Sequence, residues 1–152
     1  MINLKKMLTK ILTSISSIQN STALKSTLVV VSTGTETAND NTVWNYKIWS
    51  DGTCECWTKL TYSNVSTSKE WGEVYYSELT SSTPLPSIEG KGFSDTPYVY
   101  YTGYVQRGNG WIVGNYTPLT TYNAGGFYLI TPMEYSGLTA RINIYICGTL
   151  QG

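Results

Sequence analysis

Residues 45–57, NYKIWSDGTCECW, decide between two interpretations of the chain, a metal site and a β-hairpin. The side chains alternate between polar and apolar on each side of Ser-Asp-Gly, which is typical of two antiparallel strands joined by a tight turn. A three-residue loop with Gly52 in the left-handed conformation places Trp49 opposite Thr53. The stretch therefore predicts a hairpin.

This register separates the hairpin into two chemically distinct faces. The apolar residues and both thiols share the core face, where the predicted pairs are Ile48 with Cys54, Tyr46 with Cys56, and Trp44 with Thr58. The opposite face holds the pairs Lys47 with Glu55 and Asn45 with Trp57. A two-residue loop would set Ile48 against Glu55 and mix the faces. We therefore expect outward tryptophans, Trp49 and Trp57, that pack against a neighbouring subunit or a second layer.

The metal interpretation fails on the number of ligands. The sequence contains no histidine and three cysteines, and a C-x-C pair with one distant Cys147 supplies too few soft ligands for structural zinc. Cys54 and Cys56 lie too far apart along one side of a strand for an unstrained disulfide. We expect free thiols that fill the core, no metal, no cofactor, and synthesis in a reducing cytoplasm.

Catalysis also lacks candidates. Without histidine the commonest general base is missing. Glu70 and Glu73 form the closest acidic pair, but a solvated loop beside Lys69 is the favoured interpretation, because nothing in the sequence places them across a cleft. Asp51 is expected to bond the backbone of its turn. The sequence predicts a protein that is not an enzyme and has no catalytic residues.

The composition excludes several partners. The 152 residues fit one domain, and ten basic residues balance ten acidic ones. This balance leaves no electrostatic footprint for nucleic acid or an anionic membrane. No apolar run is long enough for membrane insertion. Thirteen tyrosines, with abundant Ser and Thr, favour strands over helices.

The N-terminal residues 1–20 carry a different pattern. Apolar residues recur at alternating spacings of three and four, which is the pattern of a coiled coil: Met1, Leu4, Leu8, Ile11, Ile15 and Ile18. Isoleucine at both core positions favours three helices. The alternative is an amphipathic helix packed on its own domain. We predict a helix over 1–20 that trimerises or anchors, a linker over 21–42 with one short strand, and a sandwich over 43–152.

The remainder of the chain predicts an antiparallel β-sandwich, because short apolar or alternating segments recur about every ten residues with turn residues between them. The predicted strands cover residues 28–31, 42–49, 53–62, 72–79, 98–105, 111–116, 127–132 and 140–148. Polar segments 32–41 and 80–97 are predicted loops. Aromatic side chains near strand ends are candidates for surface recognition, because they stack on sugars at low entropic cost: Trp71, Tyr75, Tyr100, Trp111 and Tyr116.

Several of these motifs together carry a resemblance. VWNYKIWSDGTCECW, a Pro-rich loop before YVYY, AGGFYLITP and INIYICG resemble the C-terminal β-domain of tail-fibre or tail-tip proteins of phages and prophages, over residues 43–149. In that family a W-x-Y-x-x-W-S-D-G-T-x-x-x-W hairpin opens a small sandwich that generally assembles as a trimer. The resemblance implies a virion component that displays the sandwich for recognition of the bacterial host.

The resemblance also implies the partners, namely a homotrimer, other virion proteins, and a bacterial surface glycan or protein. The chain departs from the family in having almost no stalk before the sandwich, which leaves its place on the particle open. A head-surface fibre or decoration protein without a receptor is one alternative. A bacterial carbohydrate-binding module unrelated to virions is another.

Overall fold

The computed structural model describes residues 28–115 and 117–152, together with Lys10 and Thr13. From residue 28 onward the described residues form nine strands and no helix. The strands are β1 (Val30–Thr37), β2 (Val43–Trp49), β3 (Thr53–Thr67), β4 (Lys69–Trp71), β5 (Val74–Thr80), β6 (Tyr98–Gln106), β7 (Trp111–Gly114), β8 (Phe127–Thr131) and β9 (Tyr135–Thr149).

The strands form two sheets. The five-stranded sheet has the order β1-β2-β3-β9-β6, and the four-stranded sheet has the order β4-β5-β8-β7. Every neighbouring pair is antiparallel. The all-β class and the antiparallel pairing confirm the fold predicted from the sequence, and the two sheets are arranged as a β-sandwich.

The predicted hairpin register is confirmed. Strands β2 and β3 pair Asn45 with Trp57, Tyr46 with Cys56, Lys47 with Glu55 and Ile48 with Cys54. The turn between them has both predicted features. Gly52 is in the left-handed conformation with a φ of 84°, and the Thr53 amide donates to Asp51 Oδ1 at 2.9 Å. This hydrogen bond lowers the pKa of Asp51. Asp51 therefore has the structural role expected of a turn residue.

The prediction of a loop over residues 32–41 is wrong for its first half. Strand β1 continues to Thr37 and forms the edge of the five-stranded sheet beside β2. An edge strand needs no apolar alternation, and threonine suits a pleated surface. Gly34 allows close packing here, since a Cβ would lie 2.7 Å from Tyr46 Oη. Part of the predicted linker 21–42 thus belongs to the same sheet as the hairpin.

The larger of two clusters of buried apolar residues lies between the sheets, and the smaller one consists of Leu129, Leu138 and Ala140. The inner face of the five-stranded sheet supplies most of the larger cluster's buried side chains, which are Trp44, Tyr46, Ile48, Cys54, Cys56, Ile142, Ile144 and Ile146. The four-stranded sheet contributes Phe127, and the loop over 81–97 covers one end with Leu85, Ile88 and Phe93.

Tyr101 joins the two sheets. Its ring centroid lies 4.9 Å from that of Phe127, edge to face, and its hydroxyl accepts a hydrogen bond from the Gly114 amide at 2.9 Å. With their inner faces packed together, each sheet keeps one outer face.

The predicted N-terminal helix, with Leu4, Leu8, Ile11, Ile15 and Ile18, lies outside the described residues. Lys10 and Thr13 are the described positions within it, and both are helical. The trimerising or anchoring helix therefore stays a prediction. Among the residues that the structure describes, no helix has the length and apolar character needed to span a membrane.

Candidate binding surfaces

The outer face of the five-stranded sheet carries a line of aromatic rings, which we call the aromatic row. Cross-strand pairing sets Trp57 of β3 beside Tyr145 of β9, and Tyr145 beside Tyr100 of β6. Trp57 and Tyr145 alternate along their strands with buried core positions, and Tyr100 is paired with Tyr145, so all three project outward. The Tyr100 and Tyr145 ring centroids are 6.4 Å apart and tilted by 48°.

A shallow groove of about 320 Å³ runs along the aromatic row, and we call it the row groove. Its outward side chains are Asn45, Trp57, Lys59, Tyr100, Thr102, Asn143 and Tyr145. Asn143 Nδ2 donates to Thr102 Oγ1 over a long 3.4 Å, which leaves most of its hydrogen-bonding capacity available. The row groove therefore combines ring faces with amide and hydroxyl groups.

Two cations stand near one end of the row groove. Lys59 pairs with Asn143 across β3 and β9, and Arg141 lies opposite the neighbouring outward residue, Thr61. The Arg141 guanidinium donates through Nη1 to Tyr104 Oη at 2.8 Å. Its Nε is buried and has no hydrogen-bond partner. This part of the face thus carries positive charge with unused donors.

The charges at the other end of the face are balanced. Lys47 Nζ lies 3.8 Å from Glu55 Oε2 and 5.2 Å from the centre of the Trp49 ring. Partial burial, followed by the negative charge of Glu55, raises the pKa of Tyr145 to about 12. The Tyr145 phenol therefore stays protonated at every physiological pH and keeps its hydrogen-bond donor.

The outer face of the four-stranded sheet is built differently. Cross-strand pairing places Tyr76 beside Ile130, and Tyr128 beside Val113. Together these side chains line a larger groove of about 580 Å³, which we call the apolar groove and which is completed by Glu70, Trp71, Gly114 and Asn115. The Tyr76 and Tyr128 rings meet edge to face at 5.7 Å.

The apolar groove offers few free polar groups. The Asn115 side chain is already engaged: Nδ2 donates to the Ser81 carbonyl at 3.1 Å, while Oδ1 accepts from the Thr117 and Gly126 amides. Glu70 accepts from the Tyr75 hydroxyl at 3.4 Å. A hydrated ligand would find little to bond to here.

Two tryptophans project from the same face as the apolar groove. Trp71 is 66% exposed and Trp111 is 59% exposed, compared with 38% for Trp57. Trp71 lines the apolar groove, and Trp111 pairs with Ile130, which also lines it. Exposed apolar area of this kind is characteristic of a surface that contacts another molecule.

The structure places the residues predicted for recognition on more than one surface. Tyr100 lies in the aromatic row, where Tyr145 separates it from Trp57. The sequence predicted recognition for Tyr100 and packing against a subunit or second layer for Trp57. Trp71 and Trp111 lie on the face of the apolar groove. Tyr75 alternates with Tyr76, so it lies on the opposite side of β5. Tyr116 lies outside the described residues.

Several outward residues of this face were not predicted as functional from the sequence, Asn143 and Tyr145 among them. Both alternate in β9 with the buried Ile142, Ile144 and Ile146. The same alternation places Asn143 and Tyr145 on the other face. That signal was sufficient to identify them as outward residues.

Two of the three thiols belong to the core. Cys54 and Cys56 are fully buried, and their Sγ atoms lie 3.6 Å apart. This contact, together with burial, raises the pKa of Cys56. All three cysteines are free. Within the described part of the chain, no three His, Cys, Asp or Glu side chains come together as metal ligands would.

The acidic pair considered for catalysis lies at a hairpin. Glu70 is in β4, Glu73 is in the turn that follows it, and both are exposed. Gly72, between them, has a φ of 63° and allows the tight turn.

Neither protein-family models nor curated proteins match this sequence, and no solved structure matches the fold. What the chain binds is therefore inferred from the chemistry of its two outer faces, together with the resemblance carried by its hairpin.

Proposed function

We propose that the chain is a bacteriophage virion component, a knob of fibre or tail-tip type, whose outer five-stranded face contacts the surface of a bacterial host. The supporting observation is the aromatic row set among amides and hydroxyls. The resemblance over residues 43–149 supports the place of the protein in a virion. The proposed role is binding without chemical turnover.

The aromatic row has the composition of a recognition surface for hydrated ligands. Aromatic side chains present a large rigid area and lose little conformational entropy on binding. Asn45 and Asn143 flank the rings with groups that can both donate and accept. Because β3, β9 and β6 hold these side chains in adjacent strands, the backbone fixes their spacing before any ligand arrives.

We further propose that copies of the chain meet through the face of the apolar groove and form a homotrimer. Each copy presents both a projecting indole, Trp111, and a groove of matching apolar character on the same face. The indole of one copy can therefore enter the groove of the next, and a head-to-tail contact of this kind closes into a ring where the rotation between successive copies allows it. Lys69 and Glu78, of opposite sign, also lie on this face and can pair between copies.

The size of this face indicates how strong the contact is. Four strands of about five residues cover roughly 300 Å² of flat sheet. A stable interface buries about 800 Å² on each partner. The face alone therefore supports weak association, and a stable trimer needs a further contact, for which the predicted N-terminal helix is suited.

Binding of the full chain to bacteria tests the proposed function. The labelled protein would be incubated with a panel of bacterial strains and measured by flow cytometry, beside Trp57→Ala and Tyr98→Ala. Tyr98 is the matched control, since it is exposed on β6 of the same face but does not line the row groove. We expect binding to at least one strain that Trp57→Ala loses and Tyr98→Ala keeps.

Two results would contradict this proposal. Absence of wild-type binding to every strain, relative to an unrelated β-sandwich, would favour a decoration protein without a receptor. Strong binding by a protein whose native mass is 16.9 kDa rather than three times that value would favour a solitary carbohydrate-binding module.

A further inference from the structure

We infer that the row groove is a subsite for an acidic oligosaccharide, in which a sugar ring stacks on Trp57 and a carboxylate is held by Lys59 within the groove and by Arg141 beside it. The inference rests on the proposed function, because it names the class of ligand for the same surface. Three features of the face support it, namely its charge, its unused donors and its rings.

The charge of the face is positive where the row groove lies. Strands β2, β3, β6 and β9 contain a single carboxylate, Glu55, and it is paired with Lys47. Lys59 has no ion pair within the described residues. The side chains that line the row groove include one formal charge, that of Lys59. An anionic group would therefore meet no repulsion from its lining.

The unused donors lie beside Lys59. Arg141 keeps one hydrogen bond, to Tyr104, and has a buried Nε without a partner. The buried Nε is out of reach of a ligand, but the terminal nitrogens of a guanidinium carry four further N–H donors, of which the hydrogen bond to Tyr104 uses one. Because a guanidinium presents its donors in a planar fork, a carboxylate is the group that fits it best.

The rings define the rest of the ligand. Trp57, Tyr145 and Tyr100 offer flat apolar surfaces, on which the C–H face of a pyranose can stack. Asn45 and Asn143 reach the hydroxyl groups at the edge of such a ring. A sugar that carries a carboxylate satisfies all three features at once. A nucleic acid would need a longer array of cations than these two.

An array of purified bacterial capsular and O-antigen polysaccharides tests this inference. Each polysaccharide would be printed in its native form and after carbodiimide-mediated reduction of its uronic acids, which converts the carboxylate to an alcohol and leaves the sugar ring intact. We expect the full chain to bind acidic polysaccharides and to lose about tenfold in affinity after reduction, since contacts with both cations are removed.

Two charge variants locate the site. Lys59→Gln should weaken binding to the native acidic polysaccharide about three- to fivefold, as expected for an exposed ion pair, and should reduce the dependence on salt. Lys47→Gln is the matched control, because Lys47 lies on the same face but is paired with Glu55; its binding should be unchanged. Thermal unfolding of both variants checks that they fold.

The outcomes separate this inference from the proposed function. Equal binding to the native and reduced polysaccharides, or equal loss in Lys59→Gln and Lys47→Gln, would overturn the acidic subsite while binding to bacteria still supports the knob. If the full chain binds neither bacteria nor any polysaccharide, both proposals are overturned.

Discussion

The two outer faces of the sandwich use the same aromatic residue types in different surroundings. On the five-stranded sheet, Trp57 and Tyr145 lie among amides, hydroxyls and two cations. On the four-stranded sheet, Tyr76 and Tyr128 lie among Val113 and Ile130. The comparison shows that an exposed ring does not identify its ligand. The polar groups around the ring decide whether it can bind a hydrated ligand or pack against an apolar protein surface.

The physical reason is the cost of burying polar groups. A protein partner that covered the aromatic row would have to satisfy Asn45, Asn143 and Lys59, or leave them unpaired at a cost of about 1–3 kcal/mol for each neutral group. Covering the apolar groove costs less, because Asn115 is already bonded within its own chain and the charges of Lys69 and Glu78 on the same face can pair between copies. Glu70, which accepts one long hydrogen bond, is the charged group that its lining contains. We therefore assign hydrated ligands to the first face and other copies of the chain to the second.

The largest expected effect comes from removing the assembly face alone. Trp71→Ala with Trp111→Ala should weaken the proposed trimer, so that it dissociates to the 16.9 kDa monomer at a higher protein concentration than the wild type does. Below that concentration, apparent affinity for whole bacteria should fall about 100-fold, because multivalent binding is lost. Affinity for a soluble oligosaccharide should not change. Light scattering and surface binding measure the two effects.

The control for this pair is Tyr122→Ala, which removes another highly exposed ring that lines neither groove. A double variant whose trimer dissociates at the same protein concentration as the wild type would contradict the role assigned to the apolar groove.

The second effect comes from removing the central ring of the other face. Trp57→Ala should weaken binding of an acidic oligosaccharide about 30-fold, as expected for a residue that carries about 2 kcal/mol of the binding free energy, and should leave the native mass unchanged. Calorimetry and light scattering on the same sample measure both. A lower mass would instead support the sequence-based prediction that Trp57 packs against a neighbouring subunit.

The third prediction concerns the stability of the fold, and it uses a variant that changes neither outer face. Gly103 lies on the inner side of β6, where an added Cβ would clash with Ile112 Cγ1 in β7. Gly103→Ala should therefore push the sheets apart and destabilise the fold by about 1–3 kcal/mol, which lowers Tm by roughly 3–9 °C. Gly92→Ala, whose Cβ would have only ordinary contacts, is the control. Equal Tm values in the two variants would show that this joint is not tightly packed.

The smallest effect concerns pH. Because the folded pKa of Tyr145 is raised to about 12, above its ordinary value near 10, the folded state holds this proton more tightly than the unfolded state. The resulting stabilisation is present below pH 10 and is lost as the pH rises from about 10 to about 12. In an absorbance titration of tyrosinate, Tyr145→Phe should lack the step near pH 12. An unchanged titration curve would show that Glu55 and burial do not protect this phenol.

The hairpin could be predicted because all its determinants are local. Alternation over residues 45–57 and the chemistry of Asp51 and Gly52 fix the register without help from the rest of the chain. Strand β1 could not be predicted in the same way, since its polar residues are held by pairing with β2 at a sheet edge. Whether this segment forms a strand depends more on its pairing with β2 than on its own sequence.

The aromatic row is a non-local feature. Trp57 and Tyr100 are far apart in the sequence, and only the insertion of β9 between β3 and β6 brings them into one line. Alternation could show that each ring points outward or inward. It could not show which rings share a face, and this is why the sequence assigned Trp57 and Tyr100 to different roles.

The most direct test of the division between the two faces uses the five tryptophans as probes. Labelling with 5-fluorotryptophan gives each indole a fluorine resonance, and a soluble paramagnetic chelate broadens those that solvent reaches. Trp44, which is fully buried, serves as the internal control.

In the assembled protein we predict that Trp71 and Trp111 are protected from broadening while Trp57 is exposed, and that a uronic-acid-containing oligosaccharide then protects Trp57. Protection of Trp57 without the oligosaccharide, together with exposed Trp71 and Trp111, would contradict the account and exchange the roles of the two faces.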